Sequence, residues 1–134
     1  MNKLEGKIVN IKTSGHLSMV SVEINPEIII KSIVIETQKT ANYLKIGGQV
    51  ATLFKETEVV IGTGKLPNIS LQNKIEGTIK HMEKGTLLSK IVLVTGVGEL
   101  TSIISTNAVE HLGLEERTPA TVMIKLNEVM LSKT

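Results

Sequence analysis

Apolar and polar residues trade places along this chain in the rhythm of strands. In Gly6–Lys12 (GKIVNIK) and Val20–Ile24 (VSVEI) the apolar positions alternate or nearly so, as in strands with one buried face. Ile28–Glu36 (IIIKSIVIE) is a longer, almost unbroken β-branched run, the pattern of a buried strand. A short segment follows at Thr37–Leu44. Its counterpart further on, TNAVEHLGL, opens with the cap-type residues Thr106 and Asn107. Glu110 stands three positions after Asn107, a capping-box spacing, and Gly113 is a stop signal, which predicts one or two helical turns. The stretches QVATLFKETEVVIG and PATVMIKLNEVMLS then read as one or two closing strands each.

The pattern occurs twice because the sequence does. Asn2, Lys3, Glu5 and Gly6 return as Asn73, Lys74, Glu76 and Gly77, 71 positions on. Ser32-Ile33-Val34 returns as Ser102-Ile103-Ile104, and Lys55, Glu58 and Val59 return as Lys125, Glu128 and Val129, each 70 positions on. One residue has therefore been gained or lost, and the expected place is the turn around Asn25-Pro26-Glu27, opposite Thr95–Gly98. The expected organisation is a first domain over 1–64 and a second over 70–134. The glycines and Pro67 of 62–72 mark the linker. Three strands, a short helix and one or two further strands is the order of an OB-type barrel. The fold class predicted is all-β with short helices, built as two tandem OB-like barrels.

Composition narrows the chemistry. Hydrophobic residues make up 41% of the 134 residues, but aromatics only 1%, Tyr43 and Phe54 alone. OB folds that bind nucleic acid stack bases on aromatic side chains over a basic groove. Two unrepeated aromatics and a net charge of +2 do not build that platform. With no cysteine, disulfides and thiolate metal sites are excluded. His16, His81 and His111 fall in no nucleophile, metal or acid–base pattern, and TGVGELTS lacks the spacing and lysine of a phosphate loop, so no enzyme activity is expected. The opening MNKLEGKIVN is not a signal peptide, and no apolar run reaches the ~18–20 residues of a membrane span. A cytoplasmic protein is the expectation.

Each half resembles the Mop domain, also called TOBE, of molybdate-binding proteins, and the tandem is similar to a two-domain molbindin. The family opening, roughly Ser-Ala-Arg-Asn-x-Leu-x-Gly, is matched by SLQNKIEG (Ser70–Gly77). The middle is matched by TSIISTNAVEHLGL (Thr101–Leu114) and the end by KLNEVM (Lys125–Met130). The resemblance implies an OB-like fold, a homo-oligomer (a trimer for two-domain chains), and binding of molybdate or tungstate with no cofactor and no directly ligated metal ion. Such tetrahedral dianions need hydrogen-bond donors rather than metal ligands. Carried over by position, the implied oxyanion contacts are Ser70, Gln72 and neighbouring Asn73, then Lys125, Leu126 through its backbone, and Asn127. In the first half they are Asn2, Lys3, Lys55 and Thr57. The chain departs from the pattern at Gln72, where the family has arginine, and at Leu126 and Glu56, where it has alanine.

The function expected is non-catalytic binding of the oxyanion for storage, buffering or homeostasis. The alternatives are an anion-sensing module acting through a protein partner and OB-type nucleic-acid binding. Association of copies has a second basis in the run Ile28–Ile35, which is too apolar to leave wet at a strand edge.

Overall fold

The computed structural model describes residues 1–65 and 68–134; Leu66 and Pro67 of the expected linker lie outside the described residues. Among the described residues the strands are β1 (Asn2–Ser14), β2 (Leu17–Asn25), β3 (Ile28–Val34), β4 (Gln49–Phe54) and β5 (Val60–Gly62). The second half repeats them as β6 (Asn73–Lys84), β7 (Leu88–Thr95), β8 (Gly98–Ser105), β9 (Pro119–Ile124) and β10 (Met130–Lys133). A helix, α1 (Thr106–Leu112), follows β8, and short 3₁₀ turns at Glu56–Glu58 and Leu126–Glu128 precede the last strand of each half.

Two five-stranded antiparallel sheets result, ordered β10-β4-β1-β2-β3 and β5-β9-β6-β7-β8. The halves exchange their last strands. β5 pairs with β9 (Val60 opposite Met123), and β10 pairs with β4 (Met130 opposite Leu53). One hydrophobic core accordingly runs through both halves, joining Leu4, Ile30 and Phe54 to Ile75, Ile91, Val122 and Ile124. A smaller cluster around Ile8, Val22, Leu44 and Val50 fills the rest of the first half.

The repeated glycine of the opening phrase has a steric cause. A Cβ at Gly6 would lie 2.3 Å from the Glu23 carbonyl oxygen, and one at Gly77 would lie 2.7 Å from that of Val94. Two residues later each long strand bulges, between Ile8 and Asn10 and between Ile79 and His81. There the strand bonds the loop that leads into its other neighbour, β4 or β9. Gly47 donates to the Ile8 carbonyl and Arg117 to that of Ile79, both at 2.7 Å.

The one-residue difference between halves sits slightly before its expected place. Glu23 faces Ile29 and Asn25 faces Ile28, so Ile24 is an extra, bulged residue, whereas Val94 and Thr95 pair in unbroken register with Glu99 and Gly98. Both turns keep two residues. The helix also begins earlier than the capping box predicted. Ser105 is the N-cap, accepting from the Ala108 amide at 3.0 Å, while Gly113 closes the helix at φ 62° as expected. Thr106 is unavailable as a cap because its hydroxyl is turned inward, donating to the Gly85 carbonyl at 2.8 Å. In the first half, Thr37–Leu44 makes turns instead of a helix; the Thr40 hydroxyl accepts from the Thr37 amide at 2.8 Å, competing with helical bonding. The Tyr43 phenol in this segment donates to the Glu36 carboxylate.

β3 is not buried on both faces as its composition suggested. Ile30 and Ser32 point inward, whereas Ile29 is exposed and Ile35, just past the strand, is 81% exposed in the single chain. Its residues alternate between one face on the core and one toward solvent, as in a sheet covered on one side only.

Candidate functional site

β3 and β8 each carry a serine that reaches across to the other half. The Ser32 hydroxyl donates to the Val129 carbonyl and the Ser102 hydroxyl to that of Val59; both serines are fully buried. Beside each, an asparagine clamps the strand's outer edge. Asn73 accepts from the Lys31 amide and donates to the Lys31 carbonyl, both at 2.8 Å. Asn2 does the same with Thr101, also at 2.8 Å. A primary amide presents one donor and one acceptor side by side, which matches the free N–H and C=O of an edge-strand residue. These two asparagines, expected as oxyanion contacts, thus have their side chains engaged by backbone.

The clamp around Asn73 draws three segments together. Ser70, Leu71 and Gln72 lead into β6; Lys125, Leu126 and Asn127 leave β9 through the 3₁₀ turn; Ile33 comes from β3 of the other half. They line a pocket of about 340 Å³. Five of the expected residues meet here: Ser70, Gln72, Lys125, Leu126 and Asn127. Lys125 enters the turn with extended backbone, φ −66° and ψ 148°, and its carbonyl accepts from the Glu128 amide at 3.1 Å. The amides of Leu126 and Asn127 open the turn, where a helical backbone has no acceptor of its own to offer. The side-chain donors of Ser70, Gln72, Lys125 and Asn127 make no hydrogen bond or ion pair among the described residues. The pocket is therefore rich in unengaged donors and carries one full positive charge.

Ile33 is the lining residue that sequence reading missed as part of a site. It belongs to the other half, and only the strand's packing brings it to Lys125. It also forms part of an apolar cleft of about 530 Å³ with Lys12, Leu17 and Met19.

In the first half, Lys55 and Thr57 lie exposed on the equivalent 3₁₀ turn, as Lys125 and Asn127 do on theirs, and Lys3 pairs with Glu5 at 3.4 Å on the surface. Glu56, at the place of Leu126, accepts from the Met1 ammonium at 2.7 Å, and Met1 stands where the second half has Gln72. The hydrogen bond from that ammonium is the main reason the Glu56 carboxyl titrates below its ordinary range, followed by a bond from its own backbone amide. Among the described residues no group of three His, Asp or Glu side chains could hold a metal ion, and no helix is long and apolar enough to cross a membrane.

Comparison with known proteins places this architecture. The profile of the TOBE domain matches residues 69–131. Molybdenum-pterin-binding protein 1 of Clostridium pasteurianum is 37% identical over 65 residues, covering 48% of this chain and 96% of that protein. The molybdenum transport protein ModE of Herbaspirillum seropedicae is 29% identical over 133 residues, 98% of this chain but 49% of ModE. Among solved structures, the cytoplasmic molybdate-binding protein ModG with molybdate bound superposes with a TM-score of 0.90, covering 99% of this chain and 96% of that one at 24% identity. The fold is shared from end to end, as two tandem Mop-like units. With a relative matched over nearly its full length, the chain belongs to the family of TOBE-domain, Mop-like proteins.

Proposed function

We propose that the protein binds molybdate or tungstate and acts by capture and release, without catalysis, as a cytoplasmic store or buffer of the oxyanion. The observation that carries this reading is the pocket in which Ser70, Gln72, Lys125, Leu126 and Asn127 converge with their donors unengaged. A tetrahedral dianion accepts hydrogen bonds at four oxygens, and charge-assisted bonds to a lysine and oriented dipoles suit it. The functions for which the relatives are named, molybdenum-pterin binding and molybdate binding, support the same class of ligand. In this reading Asn73 holds the wall of the pocket through Lys31 rather than touching the anion. The exposed Leu17, Ile29, Ile35, Leu87 and Leu88 support association of copies into a homo-oligomer, a trimer by family resemblance. A second reading, an anion-sensing module acting on a protein partner, is favoured by the match of nearly the whole chain to about half of ModE.

Calorimetric titration with molybdate, tungstate and sulfate tests the proposal. Binding of the first two with little response to sulfate, which is smaller at equal charge, is the expected result. Lys125→Ala is expected to weaken binding roughly ten- to hundredfold, the worth of one hydrogen bond to a charged group. Absence of heat with all three anions in an assembled protein would overturn it.

A further inference from the structure

We infer that Glu56 is a resident anion that closes the first-half counterpart of the Lys125 pocket, leaving the second-half pocket as the working site of the pair. The inference rests on the oxyanion-binding reading above. The two turns have the same backbone. Lys55 enters at φ −74° and ψ 149°, Lys125 at φ −66° and ψ 148°, and each lysine carbonyl accepts from the glutamate three residues on, at 2.9 and 3.1 Å. Both turns keep a lysine first and a side-chain donor third, Thr57 or Asn127. What separates them is the middle residue, an apolar Leu126 that lines the second pocket and an acidic Glu56 in the first half.

The Glu56 carboxylate lies at the surface, held in an ion pair. Its partner at 2.7 Å is the Met1 ammonium, which stands at the place of Gln72. The carboxylate thus reaches from the place of Leu126 to the counterpart of Gln72, and both of those residues line the second pocket. A carboxylate so placed occupies local positive charge and repels an arriving dianion.

The test counts molybdate bound per chain by equilibrium dialysis with elemental analysis, for the wild type, Glu56→Leu (the residue of the other half) and Glu56→Gln (the same shape without charge). Each variant is expected to take up one further equivalent per chain, and Lys55→Ala added to either should remove it. Two results would overturn the inference: unchanged uptake by both assembled variants, or loss of an equivalent when Lys55→Ala is made in the wild type. Uptake by the wild type alone already upholds the oxyanion reading, so failure of this inference stays distinct from failure of that one. No uptake by any of these proteins would remove both.

Discussion

Gly47 and Arg117 show how much one backbone position can demand. They hold equivalent places, both adopt left-handed backbone (φ 84° and 71°), and both give their amide to the bulged strand at 2.7 Å. Glycine takes this conformation freely, whereas for any other residue it costs about 1–2 kcal/mol. The second half bears that strain because the bond of Arg117 to Ile79 fixes where β6 parts from β9. Replacements at the two sites should therefore act with opposite sign. Arg117→Gly is expected to stabilise the protein by about 1 kcal/mol, and Gly47→Ala to destabilise it by about as much. Denaturant midpoints at constant slope would show this, and shifts of the same sign would contradict it. The glycine signal itself is readable in the sequence, where the return of Gly6 as Gly77 marks a position that tolerates no side chain. Arg117 carries no such signal, since arginine names no backbone conformation.

At the level of strands, the clamp is what makes β3 a wall. Asn73 is 1% exposed and satisfies both free backbone groups of Lys31. Asn73→Ala leaves that donor and acceptor without partners at an interface between halves, and a loss of about 2 kcal/mol is expected in equilibrium unfolding. A change within about 0.5 kcal/mol, ordinary for a surface site, would show the clamp to be dispensable. Strand order, the repeat and the helix were legible because alternation reports which face of a segment is buried. Which sheet a strand joins was not legible, since Val60–Gly62 or Met130–Lys133 would show the same alternation beside either partner. The site divides along the same line. Lys125, Asn127, Ser70 and Gln72 were legible from resemblance and repetition, while Ile33 was hidden because strand packing, not sequence proximity, delivers it. Asn2 and Asn73 looked like anion contacts because a polar side chain at that place reads the same whether it serves a ligand or a backbone edge.

Across the whole molecule, the exchange of β5 and β10 makes the halves mutually dependent. A fragment of residues 66–134 retains β9 but lacks the β5 that covers its edge, and its core loses Leu4, Ile30 and Phe54. Such an edge seeks another chain. The fragment is expected to associate or stay poorly folded, and mixing it with residues 1–65 should restore the dispersed amide spectrum of the intact protein. A sharp monomeric species with dispersed signals from 66–134 alone would refute this. The exchange also has a consequence for biosynthesis. The sheet begun by β1–β4 cannot be completed when Phe54 leaves the ribosome; it waits for Met130–Lys133, roughly 4–15 s later at ordinary rates of translation. Through that interval the open side of β4 is a template for any extended neighbour, and chains on one messenger are the nearest neighbours it has.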